Sequence, residues 1–141
     1  MVAIRWILLA LSLGLLLFAF KMRGRAEPFS GPAVFVDVCV AEQDVKRVAR
    51  EVHNPVMKAL KLVPGAIPGS SLTTGGKTQH LVLFRDGATR RDLAAVQEAL
   101  NRVVFAADIG ILSRHVELAQ PLGDGRFPHS QACTEYQRQQ G

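Results

Sequence analysis

Six aliphatic residues, Val45, Val48, Val52, Val56, Leu60 and Val63, recur at steps of three and four, and this stripe narrows the possible folds more than any other feature. Steps of that size line one side of an α-helix. They predict an amphipathic helix of about 20 residues beginning near Glu42, whose apolar side must be covered by a sheet or another helix. The opposite side carries Lys46, Arg47, Arg50, Glu51 and Lys58. Pro55 falls inside this helix. Its missing N–H, and the crowding of its ring against the Glu51 carbonyl, predict a kink near His53 and Asn54. Pro64-Gly65 provides the stop.

The flanks change period. Ala33 to Val40 alternates, with Val34, Val36, Val38 and Val40 on one side and Phe35, Asp37 and Cys39 on the other, which predicts a strand. After the helix, Ser70 to Thr74 and Thr78 to Arg85 read as a hairpin about Gly75-Gly76. The run Leu81-Val82-Leu83-Phe84 is apolar on both faces, so both faces call for cover, although a lone two-layer domain has helices on one face only. Thr89 to Asp92 has capping-box spacing and opens a second helix, with Leu93, Val96, Leu100, Val103 and Ala107 as its stripe. Ile111 to Leu118 is a fourth strand.

The fold class is therefore α+β. A β-α-β-β-α-β order with right-handed crossovers gives the ferredoxin-like arrangement. The domain spans residues 33–118, after a Pro- and Gly-bearing linker at 22–32 and before a Gly-, Pro- and Gln-rich tail at 119–141 expected to be flexible.

Residues 1–21 read as a membrane helix. Trp6 to Phe20 has no charge and contains seven leucines, one isoleucine and two phenylalanines, which together contribute on the order of −4 kcal/mol towards insertion. Extended back to Met1, with Arg5 snorkelling, the segment reaches ~30 Å, the thickness of a hydrocarbon core. A cleaved signal peptide ending at Gly24-Arg25-Ala26 is the rival reading. Lys21, Arg23 and Arg25 lie between the apolar run and that site, and this favours an uncleaved anchor. The same charges, taken alone, would leave the domain in the cytoplasm.

Glu51-Val52, Asn54-Pro55-Val56, Ala59-Leu60 and Val63-Pro64-Gly65, followed by Ser71, Thr73, Gly76, Val82, Phe84 and Asp86-Gly87, together make a string that resembles one family. From Trp6 to Leu100 the chain resembles the first membrane helix and first porter subdomain of resistance–nodulation–division efflux transporters, the heavy-metal exporters especially. The resemblance implies a domain outside the cytoplasm, against the charge flanks, and self-association or docking through the helix of Glu42 to Val63. The chain departs from the family in having a single candidate span with no acidic residue in it, so a detached accessory module is implied, not a pump.

Chemistry is sparse. Lys plus Arg exceed Asp plus Glu by 17 − 12 = 5, but the basic residues are scattered and aromatics few, so no nucleic-acid partner is expected. No C-x-x-C motif is present. Cys39 reads as a small buried hydrophobe, and whether it pairs with Cys133 in an oxidising compartment stays open. His53 with Glu51, or His80 with His115, would be the nominees for a metal pair, but residues two apart on a helix do not face one another. Asp86 and Asp92 have turn and cap roles, and Asp37 lacks a companion base or nucleophile. Gly75-Gly76-Lys77-Thr78 opens no helix and is a hairpin, not a phosphate loop.

No catalytic, cofactor or metal residues are therefore assigned. The expected function is a non-catalytic, single-span accessory module in the cytoplasmic membrane of the cell envelope. Its domain would bind a protein partner or a second copy of itself, with Lys46, Arg50, His53, Asn54, Met57, Leu81 and Leu83 as the candidate contact residues. The alternatives are an extracytoplasmic ligand- or metal-sensing domain and, behind it, an acylphosphatase-like enzyme, for which Val40-Ala41 lacks the necessary arginine loop.

Overall fold

The computed structural model describes residues 31–134 together with Phe29. The expected anchor at 1–21 lies outside the described residues, and no helix among the described residues is long and apolar enough to cross a membrane.

Four antiparallel strands form one sheet: β1 (Ala33–Val40), β2 (Ile67–Thr74), β3 (Lys77–Leu83) and β4 (Ile111–Ala119), in the order β2-β3-β1-β4. The first helical stretch has three consecutive parts: α1 (Val45–Val48), a π-helical turn (Ala49–His53) and α2 (Asn54–Leu60). A single helix, α3 (Arg90–Asn101), and a 3-10 turn (Ala107–Ile109) connect β3 to β4. The class is thus α+β.

The valine alternation of β1 decides which side the helices take. Val34, Val36, Val38 and Val40 join Val48, Val52, Val56 and Leu60 of the first helix and Val96 and Leu100 of α3 in one buried cluster. The predicted kink takes a definite form. The Asn54 N–H bonds to the Ala49 carbonyl, a five-residue step, so the helix passes Pro55 by widening into a π-turn that keeps the stripe on the core.

The capping box of α3 forms as its spacing predicts. The Thr89 N–H donates to Asp92 Oδ2 at 2.8 Å and the Asp92 N–H to Thr89 Oγ1 at 3.3 Å. The stripe expected to run on to Ala107 stops at Asn101, and Val103-Val104-Phe105 leaves the helix. Phe105 instead lies 4.7 Å beneath the Arg114 guanidinium, a cation–π contact that fastens the connection to β4.

β2 slips register between Pro68 and Ser71. A side-chain carbon on Gly69 would lie 2.9 Å from the Leu81 carbonyl oxygen, so only glycine fits this bulge of the edge strand.

The other face of the sheet is partly crossed by the chain itself. Cys39 and Cys133 form a disulfide across a sequence separation of 94. The Gln79 side-chain amide donates to the Ser130 carbonyl at 3.0 Å. Ser130 and Cys133 are buried, and residues 132–134 make a single helical turn. The described part of the stretch read from sequence as a flexible tail is therefore a strap pinned to the middle of the sheet. Composition alone cannot reveal this, because one covalent bond does the holding that a hydrophobic core does elsewhere.

Candidate functional site

On the helix side, α2 and α3 diverge to leave an open groove of about 500 Å³, lined by Pro55, Ala59, Val63, Ala95 and Ala99 and edged by Lys58 and Arg102. Its rim carries Leu62, 82% exposed, and Val104, 90% exposed. Large aliphatic side chains this bare, next to a mostly apolar trough, mark a surface suited to contact.

Beneath the π-turn lies a polar cluster whose members the sequence analysis did not pair. The turn carries His53 over the sheet, where its Nδ1 lies 3.0 Å from Thr73 Oγ1 and 3.3 Å from Thr78 Oγ1. The two hydroxyls are 3.1 Å apart, and Thr78 Oγ1 is also 3.1 Å from His80 Nε2. The imidazole centroids are 4.7 Å apart. Burial holds the His53 pKa below its ordinary value. For His80, burial and then the proximity of His53 lower the pKa to about 4. Both rings are thus neutral near pH 7, and His80 Nδ1 is buried with no hydrogen-bond partner among the described residues. A hydroxyl bonded to an imidazole is half of a nucleophile–base pair, but Thr78 has no exposure and His80 2%. No substrate atom reaches them, and the cluster's evident role is to fasten the π-turn to β2 and β3.

On the strap side, Asp37 lies opposite Gln79 of β3 and His115 of β4. It has no exposure, and neither carboxyl oxygen has a hydrogen-bond partner among the described residues. Gln79 is engaged with Ser130, and His115 Nε2 is 3.1 Å from Glu117 Oε2. His80 and His115 lie on opposite faces of the sheet, because His80 pairs with Val36 and His115 with Asp37. Among the described residues no three of His, Cys, Asp and Glu converge on a common point.

The seven candidate contact residues fall on two faces. Lys46, Arg50 and Asn54 are exposed on the first helix, and Arg50 is ion-paired with Glu51. His53 belongs to the polar cluster. Met57 is half-buried beside His80, bordering a void of about 10 Å³, barely room for one water molecule. Leu81 and Leu83 are half-buried in β3, and Leu81 pairs with Phe35 on the strap side. The fold does not bring these seven to one surface, and the groove that it does build is made of residues the sequence analysis placed elsewhere. Leu62 and Val104 carried a detectable signal, being aliphatic residues that lie off the helical stripes. Thr78 and His80 share the alternation of β3 with Val82, which places them on the same side as the β1 valines.

No family model matches the chain, and no curated protein matches it.

Proposed function

We propose that the chain is a non-catalytic accessory module, anchored in the cytoplasmic membrane by residues 1–21, which docks on a larger envelope complex through the groove between α2 and α3. The groove carries this reading: it is a broad, open apolar surface among the described residues, and Leu62 and Val104 stand proud of its rim. The Cys39–Cys133 disulfide supports a domain outside the cytoplasm, since disulfides persist in oxidising compartments. That support outweighs the opposing charge flank, which is a bias on topology and not a prohibition. The strand order β2-β3-β1-β4, with both helical crossovers packed on one face, supports reading the domain as ferredoxin-like. It is compatible with a detached relative of the transporter porter subdomain, and the partner on this reading is a transporter of that kind.

The test is photo-crosslinking in native membranes with a reactive side chain at position 62 or 104. A discrete protein adduct at both positions, abolished by Val63→Glu on the groove floor, supports the reading. Adducts absent from both positions, with the chain extracted as a monomer, sink it.

A further inference from the structure

The two ends of the sheet differ in charge. The chain enters the domain at Pro32, whose carbonyl accepts from the Ala88 N–H at 2.6 Å. Val34 lies opposite Val82, and Ile67 opposite Leu83. The turn from α2 into β2 and the turn from β3 into α3 therefore flank the chain's point of entry. Lys61, Arg85, Arg90 and Arg91 project from these two turns. All four are exposed, and none is in an ion pair among the described residues. The acids on these two turns are Asp86 and Asp92, and Asp92 is engaged in capping α3; Glu117 of β4, opposite Phe35, lies nearby and is 3.1 Å from His115.

At the far end three arginines are paired with acids, although Lys46 and Lys77 are in no ion pair among the described residues. Arg47 contacts Glu42, Glu51 and Asp108, Arg50 contacts Glu51, and Arg102 contacts Glu98. Internal stability does not account for the unpaired set. Arg90 and Arg91 open α3, where the helix dipole favours anions over cations.

We propose that this entry end, with Lys61, Arg85, Arg90 and Arg91, is a seat for the headgroups of anionic phospholipids. The proposal rests on the reading of residues 1–21 as an anchor. A linker over residues 22–32 spans at most ~40 Å when fully extended, so the entry end is the part of the domain tethered against the bilayer. Lys21, Arg23 and Arg25 continue the same sign along that linker. Basic side chains act on a membrane within about one Debye length, ~8 Å at physiological salt. The seat therefore works by holding the domain down on the surface, which also fixes how the α2–α3 groove is presented to a partner.

The test uses the full chain in nanodiscs of phosphatidylcholine alone, or with about 30% phosphatidylglycerol, read by hydrogen exchange. Amides of residues 61–66 and 85–92 are expected to exchange at least ~5-fold more slowly in the anionic discs, the value of a single basic contact. Residues 43–50 at the far end should be unchanged, which also reports that the fold is intact. The quadruple variant Lys61→Gln, Arg85→Gln, Arg90→Gln and Arg91→Gln should lose the difference. Equal exchange in the two discs, or a difference that survives in the variant, overturns the seat and leaves the anchor standing. Protection found only in native membranes assigns the patch to an acidic protein and overturns the seat as well. Failure of the chain to enter discs at all removes the anchor, and the seat with it.

Discussion

The two faces of this sheet are covered by different means. On one, periodic valines and leucines from β1, the first helix and α3 form a core that is local and redundant, with many small contacts sharing the load. On the other, a strap is held by the Cys39–Cys133 bond and the Gln79–Ser130 hydrogen bond, on the face where the buried Asp37 carboxyl has no hydrogen-bond partner among the described residues. A periodic core degrades gradually as residues are removed. A strap fails at one point.

The sharpest way to break the comparison is to cut the disulfide. Closing a loop of this size contributes about 4–5 kcal/mol in the chain-entropy account, so Cys133→Ala should lower the unfolding free energy by about that much in denaturant titration. Residues 120–134 should lose hydrogen-exchange protection while α3 keeps a cooperative transition. A strap that remains protected without the bond would make the two faces equivalent after all.

The helix side has its own weak point, in pH. The His80 imidazole takes up a proton near 6.5 when unfolded and at about 4 when folded. Between those values the unfolded chain binds more protons, so stability is full above about 6.5 and declines as the pH falls towards 4. The loss amounts to about 3 kcal/mol. Denaturation midpoints measured across that range should follow this slope, and His80→Leu should flatten it. A wild-type profile with no slope there would mean that the cluster is open to water.

The smallest effect is a gain. A buried carboxylate with no hydrogen-bond partner is costly, and a β-branched residue suits the centre of a strand. Asp37→Val should therefore raise stability by about 1–2 kcal/mol. A loss of similar size would show that Asp37 makes a favourable contact and that the strap side is better satisfied than its geometry indicates.

The helix side was largely legible from sequence because it follows local rules. The alternation from Ala33 to Val40, the Thr89–Asp92 cap and the Gly75-Gly76 turn each depend on residues a few positions apart, and each forms as expected. Pro55 announced a disturbance, but not its form as a π-turn, nor that His53 would thereby meet His80 from a strand nearly thirty residues on. The apolar run Leu81 to Phe84 signalled that the second face needed cover, and the reading looked outside the chain for it. Leu81 and Leu83 were accordingly nominated as contacts. Part of that face is instead met by residues 120–134, whose Gly, Pro and Gln content obscures a role that rests on Cys133 and Ser130.

That bond also sets an order of events during synthesis. Cys39 emerges 94 residues before its partner, a delay of roughly 5–20 s at ordinary elongation rates. By the end of that interval all four strands have been made, and the Cys39 thiol lies in a central strand of the sheet. Any disulfide formed before Cys133 appears must join Cys39 to a foreign sulfur. Correct pairing thus waits for Cys133 to appear, and whatever catalyses it must reach a thiol in a strand whose sheet partners have by then been made.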